Sequence, residues 1–256
     1  MRPGDDIARA LRRRTGKGPA LVAFVTAGYP DRAGFVAQLD AVASAADIVE
    51  IGVPFSDPMA DGVTIQRSSR VALEQGVTLA WILESLAARR GKGGPPLVLM
   101  GYLNPLLAYG YGRLARDARA AGIAGFIVPD LPLEECAELR GALRTEGLAL
   151  VQMVTPVTPP ARAAMIARES EGFLYAVTMT GTTGGAIAVP DTLLGWLDGL
   201  RRDAEVPVCA GFGVRSAAQV ARLAGHVDGV IVGSALVEEL ERGGDAAAFL
   251  ASLRAA

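Results

Sequence analysis

The sequence predicts a closed (β/α)8 barrel of the TIM type, read as one domain over residues 1–256 with a short N-terminal helix. Eight short apolar runs rich in β-branched residues recur along the chain, and segments of helical period separate them. The runs also lack the apolar-polar alternation of half-exposed strands, which points to parallel strands covered by helices. An open doubly wound sheet competes with closure, but its glycine fingerprint is missing. GFGVRS (211–216) has no third glycine in register and follows the seventh run.

In chain order the strand runs are ALVAFVT (20–26), DIVEIGV (47–53), LVLMGY (97–102) and AGFIVPD (124–130), then LALVQMV (148–154), GFLYAVT (172–178), VPVCAGF (206–212) and DGVIVGS (228–234). Between them, Phe35, Leu39 and Val42 share one helical face, as do Leu79, Leu83 and Leu86. Start signals are Asp31 after Pro30, Thr78, and Thr158 with Pro159 at the first helical position. Gly91, Gly122 and Gly147 follow helical stretches, where a left-handed cap suits glycine.

Composition narrows the function. A net charge of -2 gives no electrostatic footprint for nucleic acid, and the basic run Arg12-Arg13-Arg14 reads as a solvated helix end. The start MRPGDD lacks a secretory layout, and no apolar run approaches a bilayer span, so a soluble, cytoplasmic protein without a membrane partner is expected. Cys136, in an expected helix, and Cys209, in a strand, form neither a disulfide framework nor a metal-ligand spacing.

In a barrel of this type the site lies at the C-terminal ends of the strands. The two lysines, Lys17 and Lys92, precede the first and third strands, which leaves Schiff-base chemistry without a nucleophile. His226, the single histidine, precedes strand eight, which argues against a His-ligated metal and a Ser-His-Asp triad.

Carboxylates crowd the favourable end: Glu50 in strand two, Asp57 and Asp61 in the loop after it, and Asp130 closing strand four. Alternation puts Glu50 on the face of Ile48 and Gly52, opposite Val49 and Ile51, so it can point into the barrel. Desolvation there raises a carboxyl pKa towards neutrality, whereas Asp61 in its polar loop is expected to stay ionised. Bland readings stand beside these: Glu50 as the partner of an arginine, and Asp57, Asp61 or Asp130 as turn or helix caps.

Glycine clusters supply a second signal. TGTTGG (180–185), GFG (211–213) and GSA (233–235) follow strands six, seven and eight, and Ser234 opens a short helix. Backbone amides in such turns suit a phosphate, although tight strand-to-helix turns also require glycine. Of Phe24, Tyr102, Phe126, Tyr175 and Phe212, some are expected to line a pocket and others to be core. The residues alone thus lead to a metal-free acid/base enzyme acting on a phosphate ester.

FVTAGYPD (24–31), EIGVPFSDPMADG (50–62), GYLNP (101–105), FIVPDLPLEE (126–135), TGTTGG, AGFGV (210–214) and VGSA (232–235) together resemble the signature segments of the tryptophan synthase alpha chain family. The resemblance implies retro-aldol cleavage of indole-3-glycerol phosphate, with Glu50 and Asp61 as the catalytic pair and no cofactor in this chain. It implies an indole pocket at Phe24, Tyr102, Tyr175 and Phe212, and phosphate contacts at Gly184, Gly213, Gly233 and Ser234. A pyridoxal-phosphate beta chain in an αββα assembly is the implied partner, contacted by the loop from Pro54 to Asp57 and by residues 180–190. Met179 departs from the family's usual arginine before the T-G pair, and GGAIAVPD departs from the usual continuation. A stand-alone lyase for another indole pathway and a catalytically silent partner barrel are the alternatives.

Overall fold

A computed structural model describes residues 2–12, 18–89, 91, 93–178, 189–211 and 213–254. Eight parallel strands close into a barrel in sequential order. They are β1 (Ala20–Thr26), β2 (Ile48–Gly52), β3 (Leu97–Met100), β4 (Ile123–Ile127), β5 (Ala149–Val154), β6 (Leu174–Val177), β7 (Val208–Gly211) and β8 (Gly229–Val232). Helices α1 (Asp5–Arg12), α2 (Phe35–Ala43), α3 (Val63–Glu74), α4 (Leu79–Arg89), α5 (Leu103–Tyr109) and α6 (Tyr111–Ala120) belong to the first half. The second half carries α7 (Ala137–Thr145), α8 (Pro160–Glu169), α9 (Asp191–Asp203), α10 (Ala217–Leu223), α11 (Ser234–Glu241) and α12 (Ala246–Leu253).

Each strand is apolar on both faces because each face meets protein. Val22, Ile48, Val98, Ile127, Val151, Phe173 and Ile231 fill the lumen, while Val49, Ile51, Leu99 and Phe126 pack outward against the helices. Phe126 is therefore core and does not line a pocket. At the N-terminal end, α1 lays Ile7 and Leu11 into the lumen cluster as a plug. Gly229 makes room for it, since an added Cβ would lie 2.7 Å from Cys209 Sγ and 3.1 Å from Leu11 Cδ2.

Carboxylates at this closed end are spent on structure. Asp47, Glu171 and Asp228 accept the strand amides of Leu21, Leu150 and Val208, each at 2.8 Å. Each also meets an arginine: Arg254, Arg144 and Arg201 respectively. His226 pairs with Asp198 at the same end, well away from the strand C-termini.

Several expected boundaries shift. Asp31 accepts from the Gly34 amide at 2.9 Å and so caps the turn before α2, which starts four residues later. Thr78 does cap α4, accepting from Trp81 N–H at 3.2 Å. Pro160, not Pro159, takes the first helical position of α8. Gly91, Gly122 and Gly147 have φ of 93°, 81° and 70°, as expected of left-handed caps. Cys136 is buried at the junction of a 3-10 turn (Leu133–Glu135) and α7 rather than within a helix. Asp130 lies three residues past β4 and accepts from Leu103 N–H at 2.9 Å, which makes it a cap for α5. Lys17, Lys92, Met179, Gly184 and Phe212 lie outside the described residues.

Because Ile7 is fully buried in the plug, truncating it leaves a cavity in the barrel floor. Ile7→Ala is expected to lower unfolding stability by about 2–5 kcal/mol, measured as a lower urea midpoint with an unchanged slope.

Candidate active site

Glu50 is the third of five buried residues in β2, and strand alternation turns it to the lumen side with Ile48. Register sets it level with Phe24 on β1 and Val98 on β3. The residue is 1% exposed. Among the described residues its buried Oε2 has no hydrogen-bond partner and no arginine pairs with it. Desolvation, with the nearby charge of Asp61 as the smaller cause, raises its pKa to about 8.

Asp61 reaches the same space from the loop between β2 and α3. Its backbone carbonyl accepts from Gln66 Nε2 at 2.9 Å, and its Oδ2 accepts from the Tyr102 hydroxyl at 3.1 Å. That hydroxyl also accepts the Ala60 amide at 3.0 Å, while the Tyr102 ring stacks on Phe55 with centroids 5.0 Å apart. Burial pushes Asp61 up to about 6 and the Tyr102 hydrogen bond holds it down. Between roughly pH 6 and 8, then, Glu50 holds a proton while Asp61 is charged. Asp61 is ionised at neutral pH, as its polar loop suggested, but it is more enclosed than that loop implied.

Both carboxyl groups line a cavity of about 450 Å³ at the C-terminal end of the barrel. Gly213, Gly233 and Ser234 line it too. Gly213 has φ of 63°, a conformation that other residues adopt with strain. At Gly233 an added Cβ would meet only Phe24, at 3.8 Å, so packing leaves room for a side chain there. Ser234 begins α11; the Leu236 and Val237 amides both donate to the Gly233 carbonyl, so the Ser234 and Ala235 amides head the helix, where negative charge is favoured.

Phe24 and Tyr175 line the apolar part of the cavity, with Ile65, Met100, Val177 and Ile231. Two strand glycines make space for those rings. A Cβ at Gly52 would lie 2.5 Å from Phe24 Cζ, and one at Gly211 would lie 2.7 Å from the Tyr175 hydroxyl oxygen. Among the described residues, no group of three or more His, Cys, Asp or Glu side chains is arranged to hold a metal ion.

A sequence model of the tryptophan synthase alpha chain family matches residues 11–254. The chain belongs to that family. It is 45% identical over 246 residues to the tryptophan synthase alpha chain of Nitratidesulfovibrio vulgaris strain Hildenborough, covering 95% of this chain and 96% of that one. With the alpha chain of Geobacter sp. strain M21 the identity is 49% over 224 residues, covering 87% and 84%. Among solved structures, tryptophan synthase from Mycobacterium tuberculosis superposes with a TM-score of 0.89 at 37% identity, covering 100% of this chain and 98% of that one. The tryptophan synthase complex from Pyrococcus furiosus gives 0.84 at 33% identity, covering 93% and 98%.

Of the residues expected in an alpha-chain site, the cavity brings together Glu50, Asp61, Phe24, Tyr175, Gly213, Gly233 and Ser234. Tyr102 does not line it and instead stands behind Asp61 as its hydrogen-bond donor. In the expected partner-contact loop Asp57 is exposed, whereas Pro54 is buried. The apolar residues Met100, Val177 and Ile231 were missed, because an apolar residue in a barrel strand carries no sign of whether it meets core or ligand, and Ile65, in the first turn of α3, is equally silent. Gly52 and Gly211 did carry a signal, since glycine inside a strand marks the close approach of another group.

Glu50 binds a proton more tightly when folded than at its unfolded value near 4.5, so its charge opposes folding increasingly as pH rises from about 4.5 to 8. Glu50→Gln removes that opposition. Relative to its value at pH 5, the stability of the variant over wild type is expected to grow by on the order of 3–5 kcal/mol by pH 9. Urea unfolding of both proteins at the two pH values measures this, and parallel pH profiles would contradict it.

Proposed function

We propose that this chain cleaves indole-3-glycerol phosphate to indole and glyceraldehyde 3-phosphate, using Glu50 as proton carrier and Asp61 as charge stabiliser. The observation that carries the reading is the pairing of a protonated, dry Glu50 with an ionised Asp61 in one cavity that also holds Gly213, Gly233 and Ser234. A cavity of about 450 Å³ suits a substrate of this size, since small-molecule sites span roughly 300–1,000 Å³.

In this reading the phosphate rests on the amides of the Gly213 turn and the start of α11, as anions do at helix N-termini. The indole ring lies between Phe24 and Tyr175, with its N–H towards Asp61. Glu50 gives its proton to ring C3, and the positive charge that develops at the ring nitrogen is stabilised by the Asp61 carboxylate. Glu50, now charged, takes the proton from the hydroxyl on the carbon attached to C3. The electron pair left by the O–H bond forms the second bond of the aldehyde carbonyl, the C–C bond breaks, and its electrons restore the neutral indole. Glu50 ends the cycle protonated, so one carboxyl group serves as acid and then as base.

The same reading takes residues 1–256 as one barrel domain in the cytoplasm, acting with a tryptophan synthase beta chain in an αββα assembly. The family membership supports the partner, and exposed Asp57 on the loop beside Asp61 is a contact open to it. No single helix among the described residues is long and apolar enough to cross a membrane.

Incubation of the purified chain with indole-3-glycerol phosphate, with and without beta chain, is expected to release indole, faster when the beta chain is present. Glu50→Gln and Asp61→Asn should each lower the rate by at least 10²-fold, about the contribution of one general acid-base group. The wild-type rate is expected to fall below about pH 6 as Asp61 protonates and above about pH 8 as Glu50 ionises. Near-normal turnover in either variant would remove the assignment.

A further inference from the structure

Glu238 lies one turn along α11 from Ser234, with its side chain 24% exposed. Its two oxygens accept from the two terminal nitrogens of Arg215, both at 2.8 Å, a fork-to-carboxylate pair that fixes orientation as well as distance. Glu238 Oε1 also accepts from Thr64 Oγ1 at 3.0 Å. Thr64 is in the first turn of α3, three residues after Asp61, and Arg215 follows Gly213 by two residues. The Arg215 backbone is held in turn, its N–H donating to Gln219 Oε1 at 2.8 Å. One turn further on, Arg67 of α3 pairs with Glu241 of α11. A single carboxylate therefore ties together the segments carrying Asp61, Gly213 and Ser234. Thr64, Arg215 and Glu238 themselves do not line the cavity.

We propose that Glu238 is a positioning residue for the reaction: through Arg215 and Thr64 it fixes the separation between Asp61 and the turns that grip the phosphate. The inference rests on the lyase reading of the site above. A substrate anchored at its phosphate is rigidly delivered to Asp61 only if the two walls keep their spacing. A displacement of about 1 Å between reacting groups lowers rates by on the order of 10²-fold. A partly exposed ion pair adds little to global stability, so the effect belongs in turnover and not in unfolding.

The test compares wild type, Glu238→Gln, Thr64→Val and the double variant. Kinetics with indole-3-glycerol phosphate are measured beside the Kd of glycerol 3-phosphate, which reports on the phosphate wall alone. For Glu238→Gln, kcat/KM is expected to fall tenfold or more, mainly through kcat, with the glycerol 3-phosphate Kd within twofold of wild type. Thr64→Val should show about a threefold loss of the same kind, and the double variant should lose no more than Glu238→Gln alone, because both act through one link. Thr64→Val decides the matter should Glu238→Gln fail to fold. A kcat/KM within twofold of wild type would overturn the proposal, as would an equal loss of glycerol 3-phosphate affinity. A wild-type chain that releases no indole would instead remove the lyase reading. In that case amide hydrogen exchange still tests the tie: faster exchange at 62–66 and 213–217 in Glu238→Gln supports it, and unchanged exchange overturns it.

Discussion

Glu50 sits in the lumen of the barrel with almost no exposed surface and, among the described residues, no partner for its Oε2, and the neighbouring elements maintain that condition. The α1 plug closes the floor beneath it, Phe24 and Val98 stand level with it, and Val22, Ile48 and Ile231 fill the lumen one step below. Water is kept from its underside, so the neutral acid is the stable form at pH 7. The contrast with Asp47, Glu171 and Asp228 is instructive. Those carboxylates, at the other end of the strands, each have a strand amide and an arginine, and they hold the fold together. Among the described residues Glu50 has neither, and it destabilises the fold once charged, a condition that clusters at functional sites.

Asp61 complements it by being wetter and better bonded. Tyr102 reaches it from the start of α5 and also fastens the Ala60 amide, so the loop that carries the charge is tethered at two adjacent residues. The wall proposed to hold the phosphate is built differently, from the glycine turns that follow β7 and β8, whose backbone amides would suit a ligand whose charge needs donors and not a counter-ion. Glu238 links the two walls from outside the cavity.

Much of this was legible in the amino-acid order. Strands buried on both faces advertise themselves as unbroken apolar runs, and a glutamate inside one is conspicuous because burial penalises it. Helix starts were less legible: the capping chemistry of Asp31 served a turn, and the prolines at 159 and 160 allowed two registers for α8. Roles that depend on distant pairings left no local trace. Tyr102 meets Asp61 across 41 positions, and Thr64 meets Glu238 across 174, so no spacing rule could join them.

The protonation state of Glu50 can be read directly. Carboxyl-13C-labelled glutamate in the whole chain, followed by NMR from pH 4 to 9 and compared with Glu50→Gln, isolates one resonance. A single step near pH 8 is the predicted result. Titration of that resonance near pH 4.5, the range of a solvated glutamate, would contradict a dry lumen and with it the division of roles between Glu50 and Asp61.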